Sequence, residues 1–302
     1  MDRERAGWHR PPMPNASPSQ VVPPADAVRS FREQGYVVAR GLYSPEEAAA
    51  LREHVDSLRG IVPSEVADGF HEQGATDPLK QWPRVFHPHR HDARVRQWLL
   101  DPRNTAWARA LLDTEPLAAQ TMVYFKPPGS RGQAMHQDQY FLRARPGTTL
   151  AVWMALDACD DANGCIRVVP GSQDWPVLCP TDADPEVSFV RESLPLPEDA
   201  PQLPVEMRPG DVLFFNGSLV HGSQSNATAD RFRRSLIAHF IEERATGSVE
   251  WIQPVLHPDG RELWLDERDQ GGGPCGTWVE HDGTREIAMT GTLRNFSEVV
   301  GH

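Results

Sequence analysis

Arg208-Pro209-Gly210-Asp211-Val212-Leu213-Phe214-Phe215-Asn216-Gly217-Ser218-Leu219-Val220-His221-Gly222-Ser223 is the run that decides the fold. Proline at the second position and glycine at the third of residues 208–211 suit a type II turn. Residues 211–215 then read as a buried strand, and Gly222-Ser223 turns the chain after His221. A histidine at a strand end, backed by an aromatic run, is well placed to be rigid. The same grammar extends in both directions. β-rich runs lie at 120–125, 149–156, 166–169 and 235–241, and further Pro-Gly pairs stand at 128–129, 146–147 and 170–171. Many short strands with Pro/Gly turns predict an antiparallel sandwich or barrel.

Outside that region the pattern turns helical. Residues 26–35 suit a short amphipathic helix, followed by a strand at 36–39. Ser44-Pro45-Glu46-Glu47 is a helix start: a capping serine, proline at the first helical position, and a glutamate that completes the capping box. Residues 93–112 read as helix again, whereas 61–92 lack a period and read as a long loop. Residues 1–24, rich in Pro and Ser, read as a flexible arm. The expectation is one domain over 25–302, mainly β with flanking helices, with a core at about 118–242 and an extension over 243–302.

Composition narrows the function. The 302 residues carry 30 Lys and Arg against 42 Asp and Glu, a net charge of −12. An acidic surface argues against a nucleic-acid partner and against docking on an anionic membrane. No apolar run is long enough to span a bilayer. It leaves room for a small anionic ligand, because one local arginine outweighs distant acidic charge. The four cysteines (Cys159, Cys165, Cys179, Cys275) show no C-x-x-C spacing. They read as reduced thiols, and with no secretory h-region at the N-terminus the expected location is cytoplasmic.

The chemistry concentrates in His136-Gln137-Asp138. Residues i and i+2 of an extended chain face the same way, so His136 and Asp138 aim at one point. His221 lies 221 − 138 = 83 residues on and must come from another strand. Two imidazoles and one carboxylate on one face of a metal leave the opposite positions open, the facial arrangement of non-heme Fe(II) oxygenases. Zinc hydrolases also use such a set, and a non-catalytic metal-binding jelly roll is a further alternative. The discriminating residue is an arginine one strand onward, since a chelating keto acid needs a cation for its far carboxylate. Arg233 and Arg234 compete for that role. Alternation puts Arg233 with Ser235, Ile237 and His239, and Arg234 with Leu236, Ala238 and Phe240; Arg233 is the choice.

The motifs in order resemble the phytanoyl-CoA dioxygenase family, which includes ectoine hydroxylase and bacterial natural-product oxygenases. The matching pieces are Phe125-Lys126-Pro127-Pro128-Gly129, Met135-His136-Gln137-Asp138, Trp153-Met154-Ala155-Leu156-Asp157, Val169-Pro170-Gly171-Ser172, His221-Gly222-Ser223 and Phe232-Arg233-Arg234-Ser235. The resemblance covers roughly residues 25–242. It implies a double-stranded β-helix (jelly-roll, cupin-like) core, Fe(II), 2-oxoglutarate and O2. By position, His136, Asp138 and His221 would hold the iron, and Arg233, assisted by Ser223, the far carboxylate of 2-oxoglutarate. Gln137, Trp153 and Lys126 would lie in or near the pocket, with Tyr124 and Gln133 as further contacts. The implied reaction oxidises an unactivated C–H bond of a small molecule: hydroxylation in specialised metabolism, or desaturation, cyclisation or oxidative dealkylation. Related halogenases carry a small residue in place of the carboxylate, so Asp138 argues against halogenation. Substrate determinants are expected in 61–92, 140–143, 173–205 and the C-terminal extension. The cluster His87-Pro88-His89-Arg90-His91 reads as a solvated loop, with a second metal site or a substrate contact as alternatives.

Overall fold

The structure is a computed structural model that describes residues 22–58, 76–269, 275–281 and 284–289. The N-terminal arm up to residue 21, the 61–75 part of the long loop and the glycine run 271–273 lie outside the described residues.

Two sheets make the core. The eight-stranded sheet runs in the order Tyr36–Ala39, Val212–Asn216, Thr149–Ala155, Ser235–Glu242, Pro116–Tyr124, Val255–Leu256, Glu262–Leu263, with Val85–Phe86 also paired to Pro116–Tyr124. The four-stranded sheet runs Gln133–His136, His221–Ser223, Ile166–Val168, Leu203–Val205. Pairing within both sheets is antiparallel. Most neighbouring strands are not consecutive in the chain, and the result is a jelly roll. The turn at 208–211 forms as its sequence dictates: Gly210 sits at φ 92°, and the Asp211 amide donates to the Arg208 carbonyl at 3.0 Å.

Each strand of the large sheet divides its side chains between two faces. The inner face carries Met122, Trp153, Leu213, Phe215 and Ile237, packed on Ile166, Val168 and Val205 of the small sheet. The outer face carries Leu150, Val152, Met154, Phe214, Leu236 and Phe240, covered by Phe31, Leu51, Val55, Trp98 and Trp107 from the helices. Trp107 stacks on Phe214 at 4.9 Å between ring centroids. Each large side chain buried this way contributes about 1.5–3 kcal/mol.

The helices follow their local signals. Ala25–Gln34 ends at Gly35, a left-handed cap at φ 81°. Pro45–Ser57 carries the full capping box: the Ser44 hydroxyl accepts from Glu47 N, and Glu47 accepts from Ser44 N. The helical stretch 93–112 is two helices, Ala93–Leu99 and Pro102–Leu112, because Asp101-Pro102 starts a new one. Among the described residues no helix is long and apolar enough to cross a membrane.

Two expectations need correction. Residues 78–92 are not an unstructured loop: a one-turn helix, Pro78–Gln81, the short strand Val85–Phe86 and a 3-10 turn, Pro88–Arg90, occupy them. The cysteines are not all free thiols either. Cys179 and Cys275, 96 residues apart, form a disulfide with a Cα–Cα distance of 4.9 Å, and only Cys159 and Cys165 remain free and buried. Reciprocal backbone hydrogen bonds between Val177 and Gly276 bring the two segments together. Short-range cysteine spacing carries no trace of such a long-range pairing.

Candidate metal centre and its cavities

The small sheet builds the site. His136 ends the strand Gln133–His136, and His221 opens the strand His221–Ser223. The two are direct partners in the antiparallel pair, so their rings meet at 4.2 Å between centroids. Gln137 continues in extended geometry (φ −122°, ψ 124°), and Asp138 is the first residue of a short helix, Asp138–Leu142. The extended step at Gln137 turns Asp138 to the same side as His136. Gly222 lets the ligand strands close up: a Cβ there would stand 2.7 Å from Met135 Sδ and 2.8 Å from the Gln133 carbonyl.

Donor atoms of His136, Asp138 and His221 lie within 4.8 Å of one another, the only such group of three His, Cys, Asp or Glu among the described residues. Asp138 Oδ1 is 3.5 Å from His136 Nε2 and 3.7 Å from His221 Nε2. Both imidazoles point their Nδ1 at a carbonyl: His136 to Ala134 at 2.9 Å, His221 to Leu219 at 3.0 Å. A carbonyl only accepts, so each Nδ1 carries the proton and each Nε2 offers a lone pair to the centre. Gln133 Nε2 meets that lone pair on His136 at 3.0 Å. Burial, with His136 adjacent, lowers the His221 pKa to about 4, which keeps the ring neutral. Burial alone would raise the Asp138 carboxyl, but His221 and His239 outweigh it and hold it well below the usual range. His239 Nε2 donates to Asp138 Oδ2 at 3.0 Å. The donor set, two neutral imidazoles and one ionised carboxylate, fits a divalent iron ion.

A narrow cleft of about 30 Å³ runs from this centre to Arg233, lined also by Tyr124, Gln133, Trp153, Ser223 and His239. The Arg233 side chain is buried, bonded through Nε to the Gly164 carbonyl (3.2 Å) and through Nη1 to Ser235 Oγ (3.3 Å), and lies 5.3 Å from the Trp153 ring. Lys126 is buried nearby and donates to Ser223 Oγ at 2.8 Å. Burial first, then Arg233, lowers the lysine pKa well below its usual value. Among the described residues neither cation has a carboxylate at ion-pairing distance. Arg234 points the other way, donating to Asp56 (2.8 Å) and Asp157 (2.9 Å) outside the cleft.

The cleft opens on a cavity of about 270 Å³ that shares Met122, Tyr124, Gln133, His136, Asp138 and His239 and adds Phe86, Phe141, Val190 and Trp251. Each of the four segments expected to hold substrate determinants thus contributes an apolar side chain to it. A third cavity, about 600 Å³, lies beyond Tyr124 and Arg233 and is lined by Lys80, Arg84, Lys126, Arg131 and Arg191, with Asp77 paired to Arg131. Lys126 faces this cavity rather than the metal cleft.

One expected contact falls elsewhere. Gln137 does not reach the pocket: its amide donates to Pro176 O and Ser218 O and accepts from Leu178 N, so it staples the backbone behind the site. The alternation that aims His136 and Asp138 inward necessarily sends Gln137 away. The histidine cluster is not a solvated loop: His87 and His89 are buried, His89 Nδ1 lies 2.7 Å from Thr121 Oγ1, and His87 packs on Trp251. Burial and Arg90 lower their pKa values to about 2 and about 3. His239 was legible only as a residue sharing Arg233's face; the step-two alternation 233–235–237–239 is the signal that could have placed it at the site.

Residues 31–235 match the profile of the phytanoyl-CoA dioxygenase family. The chain belongs to the phytanoyl-CoA dioxygenase family. It is accordingly an iron- and 2-oxoglutarate-dependent dioxygenase. It is 26% identical to phytanoyl-CoA dioxygenase domain-containing protein 1 of Mus musculus over 290 residues, covering 79% of this chain and 95% of the mouse protein. In fold it is similar to the nogalamycin-biosynthesis epimerase SnoN, solved in complex with Fe3+, alpha ketoglutarate and nogalamycin RO (TM-score 0.59, 19% identity, 89% of this chain and 98% of that one). It is also similar to EvdO2 from Micromonospora carbonacea var. aurantiaca complexed with 2-oxoglutarate (TM-score 0.57, 18% identity, 82% and 96%).

Proposed function

We propose that His136, Asp138 and His221 hold Fe(II), that Arg233 takes the far carboxylate of 2-oxoglutarate, and that the enzyme hydroxylates a small, largely apolar molecule of specialised metabolism. The carrying observation is the pairing of two features: three donors converging with both imidazole tautomers fixed, and a buried guanidinium that has no carboxylate partner among the described residues, at the other end of the same cleft. Iron with 2-oxoglutarate and O2 supplies the power to oxidise a C–H bond; the protein supplies position and dryness.

The residues divide that labour. Trp153 lies beside the Arg233 guanidinium, and Gly164 O and Ser235 Oγ occupy two of its donors, leaving the rest of the fork for a carboxylate. Lys126 has no lone pair when charged and donates to Ser223, so the serine hydroxyl keeps its own proton for a ligand oxygen. Tyr124 lines both the cleft and the wider cavity. Gln133 caps His136 Nε2 and must release it for metal to enter. Phe86, Phe141 and Trp251 give the wider cavity an apolar wall, which supports an apolar substrate face, and Arg84 and Glu192 also line it. Residues 25–302 would act as one catalytic unit, since Trp251 from the C-terminal extension shares this wall.

The test uses the full chain under argon. With Fe(II) and 2-oxoglutarate the visible absorption of the chelated keto acid should develop in the wild type and be absent in His136→Ala. Admission of air should then give succinate from the wild type alone. A His136→Ala protein that develops the same absorption would sink the assignment.

A further inference from the structure

The cavity of about 600 Å³ beyond Tyr124 and Arg233 has no part in the function proposed above. Six basic side chains line it: Lys80, Arg84, Lys126, Arg131, Arg191 and Arg233. Among the described residues Asp77 is its one acidic lining residue, and Arg131 binds that carboxylate at 2.7 Å. The six come from four separate stretches of a chain whose net charge is −12, so the fold gathers them. Among the described residues Lys126, Arg191 and Arg233 have no carboxylate at ion-pairing distance. Lys126 and Arg233 are also buried. Burial, then the Arg233 charge, lowers the Lys126 pKa, and a bound anion would offset both. The far carboxylate of 2-oxoglutarate brings one negative charge to these three cations. Like charges gathered in one hollow cost stability, and such a hollow concentrates anions.

The cavity also touches the substrate's side of the molecule. Arg84 and Tyr124 line both it and the cavity of about 270 Å³ beside the metal centre. Arg84 Nη1 donates to Tyr124 Oη at 2.9 Å, and its guanidinium lies 4.8 Å from the Phe189 ring centroid. The two neighbouring cavities differ in character. Phe86, Phe141 and Trp251 wall the smaller one, whereas cations surround the larger. A ligand that suits both has an apolar body and an acidic end. We propose that the larger cavity is an anion subsite, where Arg191 and its basic neighbours hold a carboxylate or phosphate monoester group of the substrate while the apolar body reaches past Tyr124 toward the metal centre. The carbon presented for oxidation is then remote from the acidic group. The proposal deepens the function proposed above and rests on the smaller cavity being the substrate's.

The experiment measures binding, not turnover, so it separates from the oxygenase test. The full chain, loaded with Fe(II) and 2-oxoglutarate under argon, is titrated calorimetrically with 2-naphthoate, 2-naphthyl phosphate and the neutral 2-naphthamide. At least one anion should bind about tenfold more tightly than the amide, as one charge-assisted hydrogen bond gives. The tighter of the two names the group. Added salt should shrink the preference by screening the charges. Arg191 is exposed, so reversing its charge spares the fold. Arg191→Glu should cut the preference to about twofold or less, whereas Arg29→Glu, the same charge change on an exposed residue outside the cavity lining, should leave it near the wild-type value. Equal affinities for the anions and the amide would overturn the proposal. So would a preference that survives Arg191→Glu, or one that falls equally in Arg29→Glu, since the overall field of the protein would then explain it. Anions that abolish the 2-oxoglutarate absorption would overturn it too, because they would be taking the co-substrate's place at Arg233. The expected preference in a protein that develops no such absorption would leave the subsite standing and the oxygenase reading refuted.

Discussion

Arg233 and Arg234 are neighbours in sequence and opposites in the fold. Arg234 faces the helices, where Asp56 and Asp157 neutralise it. Arg233 faces the interior, buried, with a carbonyl and a hydroxyl for partners. The whole strand repeats that division. Leu236, Ala238 and Phe240 pack under the helical layer, while Ile237 and His239 line the cavities and Ser235 Oγ bonds Arg233. A charge that the protein satisfies from its own side chains serves the fold. A charge buried without a counter-charge costs stability and persists because a ligand supplies the missing half. Strand alternation alone separates the two cases, and mutagenesis can break or sharpen the contrast.

The largest effect should come from the inner face's chemistry at its end point. Asp138→Ala removes the carboxylate between His136 and His221, and iron affinity should fall by more than about 100-fold, beyond the 10–100-fold typical of outer contacts. Competition with a chromogenic chelator reads this directly. Arg233→Ala should come next, raising the 2-oxoglutarate requirement roughly 10–100-fold, as loss of charge-assisted hydrogen bonds predicts, while Fe(II) binding changes little. Succinate release against 2-oxoglutarate concentration checks it. If Arg234→Ala produces that shift instead, the two faces have been assigned the wrong way round.

The legible parts of this protein are those set by local rules. The capping box at Ser44–Glu47, the glycine turn at 208–211 and the two-residue period around His136 and Arg233 each depend on a few adjacent residues, and each forms as read. What escaped depends on distant chain. Cys179 finds Cys275 only because the extension returns beside Val177. His87 and His89 lie in a polar-looking run, yet Trp251 and Thr121 bury them. Gln137 is instructive in the other sense. Motif position suggested the pocket, while the same alternation that aims its neighbours inward sends it to the backbone of Pro176, Leu178 and Ser218.

Smaller effects should sharpen the contrast within the inner face. His239→Phe keeps the volume of the ring but leaves Asp138 Oδ2 without its donor. Iron affinity should drop about tenfold, at the low end of the range for outer contacts, because both imidazole ligands keep their own carbonyl partners. Chelator competition again measures it, and a variant with wild-type affinity would mean that Asp138 is oriented by its helix alone.

On the outer face the smallest functional effect should accompany a measurable structural one. Arg234→Ala leaves Asp157 with Arg52 at 3.5 Å as its remaining cation and leaves Asp56 without the one that bonds it. Stability should fall by about 1–3 kcal/mol, the scale of hydrogen bonds to charged groups. A urea unfolding curve should register this as a lower midpoint with an unchanged slope. The half-saturating 2-oxoglutarate concentration should stay within about twofold, because no atom of Arg234 reaches the cleft. Loss of stability without loss of co-substrate affinity, set beside the reverse pattern in Arg233→Ala, is the result that the two faces of one strand require.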